Sequence, residues 1–158
     1  MTGLGARPAD RPMWRCPQCG RRFANRRQTH TCAALDLDHH FEGRPDSLRE
    51  LYEAFLAALR TIGPVTVLPE KTRIAFQTRM SFAQLTPRAT CMTGHLVLAQ
   101  VSRSKRFRKV ESISPRNHVH HFQLASPQEL DAEFMALLAQ AYAVGNQEHL
   151  PRARRGDG

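Results

Sequence analysis

Four side chains near the start of this chain limit its folding more than any others. Cys16 and Cys19 are two residues apart, and His30 and Cys32 follow ten residues later, giving C-x2-C-x10-H-x-C. A CPxCG turn, completed by Gly20, lets the first two sulfurs point at one ion. Three thiolates and one imidazole satisfy tetrahedral zinc at bond lengths of about 2.0 to 2.3 Å. Four protein ligands leave no position for a reacting water, so the expected ion is one structural Zn2+. Three of the four cysteines lie in this short stretch, and such clustering favours a metal over disulfides. A thioredoxin-like redox pair needs a βαβ context, which the segment lacks. His39 or His40 can replace His30 as a ligand if the following loop folds back. Trp14 and Phe23 flank the first knuckle and can shield the ion from water. Cys91 stands alone near the start of a strand and reads as a small packed hydrophobe.

The remainder of the chain is long enough for one ordinary domain. The 158 residues of the whole chain divide into a mobile tail (1–12), the finger (13–35), an α+β domain (36–145) and a basic C-terminal tail (146–158). The longest clean apolar run, Ala54 to Leu59, is far short of the ~20 residues that span a membrane. The first twelve residues lack the apolar segment of a secretory signal, so the expected location is the cytoplasm, where cysteines stay reduced.

Hydrophobic periodicity sets the order of elements. Ser47 and Glu50 have capping-box spacing, and Leu48, Leu51, Tyr52, Phe55, Leu56 and Leu59 recur on one helical face. Gly63 and Pro64 stop that helix. Val65 to Pro69 and Thr72 to Arg79 read as a hairpin, followed by strands at Phe82 to Thr86, His95 to Val101 and His118 to Leu124. Residues 102–109 read as a basic loop. Ser126, Pro127 and Glu129 start a second helix, with Leu130, Phe134, Leu137, Leu138 and Ala141 as its stripe. The expectation is an α+β fold: a small N-terminal zinc finger, a helix, an antiparallel sheet of four or five strands, and a C-terminal helix. Both helices cover one side of the sheet, leaving the other to solvent or a ligand.

Several segments together carry a family resemblance: MWRCPQCGRRFANRRQTHTC, HHFEGRP at 39–45, KTRIAFQTRMSFA at 71–83, GHLVLA at 94–99 and PRNHVHHFQL at 115–124. Over about residues 13 to 150 the chain resembles the bacterial domain-of-unknown-function family numbered 5655, in its form with an N-terminal Cys3His finger. The resemblance implies a small helix–sheet–helix domain. A looser similarity is to α+β domains described as iron-chaperone-like. Relatives of the domain occur beside nuclease-like modules, a link to nucleic-acid biology by association. The family brings no established reaction.

Lys and Arg outnumber Asp and Glu by 23 to 14, a formal charge of +9. A basic surface favours nucleic acid as a partner, DNA or RNA. The candidate phosphate contacts are Arg21, Arg22, Arg26 and Arg27, beside Arg15 in a finger without acids, and Lys105, Arg106, Arg108 and Lys109 in the basic loop. The plainer reading is that these charges solvate a small module. Strand alternation supplies a second candidate surface. Ile74, Phe76, Leu96, Leu98, Phe122 and Leu124 point to the core, and His120 shares their parity. Arg73, Gln77, Arg79, His95, His121 and Gln123 then share the outward face, where they can hold an anion or a base edge. No nucleophile elbow, phosphate-cradling glycine loop or H-E-x-x-H is present. The expected function is a zinc-stabilised, non-enzymatic binding module with nucleic acid as leading ligand. The alternatives are a small-ligand or enzyme domain on the sheet face, or a protein-interaction adaptor.

Overall fold

The computed structural model describes residues 5–30, 32 and 35–151. The first four residues of the expected mobile tail and residues 152–158 of the expected basic tail lie outside the described residues. Strands β1 (Trp14–Arg15) and β2 (Arg22–Phe23) pair as the small hairpin of the finger. Helix α1 (Asp46–Ile62) and helix α2 (Ala132–Gly145) flank a six-stranded antiparallel sheet in sequence order. Its strands are β3 (Thr66–Pro69), β4 (Ile74–Gln77), β5 (Ser81–Pro87), β6 (Met92–Leu98), β7 (Phe107–Ser114) and β8 (Asn117–Leu124). Their spatial order is β3-β4-β5-β6-β8-β7, so β8 inserts between β6 and the edge strand β7. No helix among the described residues is long and apolar enough to cross a membrane.

The α+β class is as expected, with one strand more than the four or five anticipated. The added strand is β7, which takes in the end of the stretch expected to be a basic loop. Only Phe107 and Val110 face Phe122 and His120 on the core side of that strand. Arg108, Lys109 and Glu111 carry charge, and Ser112 and Ile113 lie open, Ile113 at 71% exposure. Charged side chains on an edge strand discourage pairing with another chain.

Both helix starts differ from expectation. Pro45 precedes α1 without a side-chain cap, and Ser47 lies inside the helix, so the Ser47–Glu50 box does not form. The Ser126 box does form, but it caps a 3-10 turn at Pro127–Glu129. Asp131 then caps α2, accepting from the Phe134 N–H at 3.0 Å.

Both helices lie on one face of the sheet. Leu48, Leu51, Tyr52, Phe55 and Leu59 of α1 and Phe134, Leu137, Leu138 and Ala141 of α2 share one core with Ile74, Phe76, Leu96 and Phe122. Burying each large apolar side chain contributes about 1.5–3 kcal/mol. Gly94 of β6 is required by close approach: a Cβ there would lie 2.8 Å from the Phe122 ring and 2.4 Å from the Gln84 carbonyl oxygen.

The finger covers part of the opposite face. Gln77, expected to be an open ligand residue, is 4% exposed and donates through Nε2 to the Arg22 carbonyl at 2.8 Å. The Ala24 N–H donates to the Arg79 carbonyl at 3.1 Å. A bulge between Phe76 and Gln77 ends β4 where these contacts form. The sheet row Leu68–Ala75–Gln84–His95–His121–Lys109 crosses all six strands on this face. Leu68 and Ala75 are buried, whereas Gln84, His95 and His121 are half-buried.

Candidate metal centre

The backbone of the β1–β2 hairpin builds the first half of the centre. The Cys16 N–H donates to the Arg21 carbonyl and the Gly20 N–H to the Cys16 carbonyl, both at 2.9 Å. Gly20 takes φ +74°, a left-handed conformation that glycine adopts without strain. The turn leaves Cys16 and Cys19 on the same side as His30 and Cys32.

One ligand atom from each of these four residues lies within 4.8 Å of all the others. Cys16 Sγ is 3.7 Å from Cys32 Sγ, and His30 Nε2 is 3.3 Å from both Cys19 Sγ and Cys32 Sγ. An ion held tetrahedrally at 2.0 to 2.3 Å sets such ligand atoms about 3.5 to 3.8 Å apart. The observed edges therefore need only a slight expansion around an ion. His30 supplies independent support. Its Nδ1–H donates to the Gln28 carbonyl at 2.7 Å. A carbonyl only accepts, so the proton sits on Nδ1 and the Nε2 lone pair faces the sulfurs. A metal-bound histidine is oriented in the same way by its second-shell partner.

Electrostatics make the cluster uneven. The backbone N–H of Cys19, followed by that of Gln18, helps pull the Cys16 thiol down to about 6 against the effect of burial. Burial, then the neighbouring sulfurs, push the Cys32 thiol up to about 11. A dication at the centre favours all three thiolates together. Phe23 roofs the imidazole, with ring centroids 4.3 Å apart, and Trp14 stands 6.1 Å from both rings. The Cys3His group is thus positioned to bind one metal ion. Neither His39 nor His40 joins it: His39 pairs with Glu42 at 3.3 Å, and His40 is buried elsewhere.

The basic residues are distributed unevenly. Arg15, Arg22, Arg26 and Arg27 are exposed on the finger, and Arg21 is half-buried. Lys105 and Arg108 are exposed at the far edge of the sheet, where Lys109 pairs with Glu111 at 2.8 Å. The two basic groups are thus separated by the width of the sheet. Arg106 does not belong to the free set. Its guanidinium pairs with Asp131 at 2.9 Å, bonds the Glu129 carbonyl and lies 5.1 Å over the Phe134 ring. These contacts tie the loop before β7 to the start of α2.

Of the expected sheet residues, Arg79 is taken up by Gln147 at 3.1 Å and the Arg11 carbonyl at 2.6 Å. Arg73 is exposed and pairs with Glu70 at 2.8 Å. Gln123 is half-buried opposite Thr93. His95 and His121 face each other across β6 and β8 with ring centroids 5.6 Å apart. Glu111 of β7 fixes His121 by accepting its Nε2–H at 2.9 Å. Lys109 and then His121 hold the Glu111 carboxyl down to about 2. Burial first, then the charges of His121 and Arg73, push His95 down to about 4.

His120 points the other way and is fully buried. Its Nδ1–H donates to the His118 carbonyl at 2.9 Å, and its Nε2 accepts from the Ser102 N–H at 2.8 Å. Its ring packs 4.7 Å from that of Phe107. Burial lowers its pKa, so the folded protein holds it neutral. Since unfolding restores the higher pKa, this contribution to stability is complete above about pH 6.5 and declines as pH falls through the folded value. His120→Ala is expected to cost about 1–3 kcal/mol and to orphan the Ser102 N–H. His121→Ala is expected to change stability by no more than about 0.5 kcal/mol. Urea denaturation of the two variants tests the contrast, and equal losses would contradict the assigned orientations.

Residues 37–145 match the family described as Domain of unknown function (DUF5655). The match spans more than half of the chain and begins after the finger. No curated protein and no solved structure matches the chain.

Proposed function

Given that the chain belongs to the Domain of unknown function (DUF5655) family, whose description assigns no reaction, we propose that it is a zinc-stabilised, non-enzymatic binding module with nucleic acid as its leading ligand. Zinc is the ion best suited to the centre, because three soft thiolates and an imidazole with tetrahedral spacing match its preferences. Four ligands fill its coordination, so its role is structural. Reduced thiolates suit a reducing compartment such as the cytoplasm.

The observation that carries the nucleic-acid reading is the composition of the finger surface. Between Met13 and Leu35 there is no acidic residue, and Arg15, Arg22, Arg26 and Arg27 are exposed with no ion-pair partner among the described residues. Uncompensated guanidiniums on a rigid, metal-held turn suit phosphate oxygens, which they bond without reading sequence. A small-ligand domain is the second reading, favoured by the Glu111–His121 pair beside His95.

Binding to a mixed-sequence oligonucleotide is expected to weaken steeply with salt. Changing Arg22, Arg26 and Arg27 together to glutamine removes three phosphate contacts, so the slope of log K against log salt should shrink by about 2 to 3. Fluorescence anisotropy across a salt series measures both quantities. Absence of wild-type binding at about 50 mM salt, where phosphate contacts are strong, would overturn the proposal.

A further inference from the structure

Between the two basic edges of the sheet lies a polar surface to which the finger arginines give no role. It begins in a cleft of about 330 Å³ where the finger meets the β3–β4 turn. Lys71, Thr72, Gln28 and the Arg73–Glu70 pair are among the residues lining this cleft. Gln28 Oε1 is buried there with no hydrogen-bond partner among the described residues. Arg73 also lies close enough to His95 for its charge to affect that imidazole. By strand alternation Arg73 shares the outer face with Ala75, which pairs with Gln84, so the cleft borders the open sheet row Gln84–His95–His121–Lys109. Three strand spacings make that row about 14 Å wide. Arg108 is exposed at the bulge beyond its far end.

Building on the nucleic-acid reading above, we infer that this surface is a track for single-stranded nucleic acid, running from the finger cleft across His95 and His121 to the β7 edge. Shape is the first reason. The finger's described residues form only two short strands and turns, so it offers no helix for a duplex major groove. A sheet face beside a basic cleft suits unstacked bases laid flat with phosphates at the margins.

Charge is the second reason. Cations stand at the two ends: Lys71 at the cleft, beside Arg73 in its solvent-exposed pair with Glu70, and Arg108 at β7. The centre is less favourable to phosphate, because the Glu111 carboxylate borders it. His95 is held neutral there, so its ring offers a stacking surface and a hydrogen-bonding edge without charge. His121 is held in place by Glu111. Imidazoles are among the rings on which bases stack. Bases over the histidines and phosphates over the end cations fit this arrangement.

The test compares a fluorescein-labelled mixed-sequence single strand of about 12 nucleotides, a length within the range such sites cover, with its duplex. Full-length zinc-loaded protein is used at one salt concentration. The single strand is expected to bind at least about tenfold more tightly than the duplex. Changing His95 and His121 together to alanine should remove at least about tenfold of single-strand affinity, the loss of one or two stacked bases, and leave duplex binding unchanged. Lys71→Ala with Arg73→Ala should also weaken the single strand. Equal binding of strand and duplex, or wild-type single-strand affinity in the double histidine variant, would overturn the track alone. Failure of both oligonucleotides to bind would overturn the nucleic-acid reading and the track with it.

Discussion

Replacing Cys16 or Cys19 with serine is expected to abolish metal binding and release the finger from the sheet, while the six-stranded domain stays folded. Structural zinc contributes about 10–16 kcal/mol of apparent binding energy in small fingers, far more than their few apolar contacts supply. Here the ordered apolar content of the finger is chiefly Trp14 and Phe23, packed against His30. The main core draws no residue from the finger, so it does not require the metal. Its sheet still loses something on release. Gln77 gives up its acceptor at Arg22, and Leu68 loses the finger residues beside it. An orphaned buried polar group costs about 1–3 kcal/mol. The expected result is therefore a modestly less stable domain with a disordered finger. Amide NMR spectra of the variants and of chelated wild type should show finger signals collapsing while core signals remain dispersed. Global unfolding, or an unchanged finger, would contradict this division.

Phe55→Ala is expected to produce the opposite pattern, with a loss of about 3–5 kcal/mol from the main domain. Phe55 is fully buried, and its ring lies 5.1 Å from Phe76, 6.3 Å from Phe122 and 6.4 Å from Phe134. It thereby joins α1, the centre of the sheet and α2. Truncation leaves a cavity that three other large rings cannot close without moving. Denaturant unfolding of the zinc-loaded variant measures the loss. A cost below about 1 kcal/mol, the range of mild core changes, would mean that the aromatic cluster is not the link between the layers.

The Cys3His group was legible because its chemistry is local: the spacing of Cys16, Cys19, His30 and Cys32 marks them as one cluster. The opposite orientations expected for His120 and His121 also emerge from alternation, since Phe122 and Leu124 anchor the parity of β8. Edge strand β7 was hidden for a physical reason. Only one of its faces meets the core, and Arg108, Lys109 and Glu111 break the apolar pattern that marks a strand. Missing β7 also concealed the Glu111–His121 contact, a pairing across strands that no spacing reveals. The fate of Gln77 was hidden differently. Alternation assigns it to the outer face, but says nothing about a finger settling over that end of the sheet. Arg106 likewise looked like a free cation until α2 placed Asp131 beside it.

The central claim is that the four N-terminal side chains hold one structural zinc ion. Elemental analysis of protein purified without chelator tests it most directly. The expected result is about one zinc per chain, the stoichiometry of a single four-ligand site, with none in the Cys16→Ser and Cys19→Ser variants. A wild-type preparation without stoichiometric metal, or variants that retain it, would contradict the account.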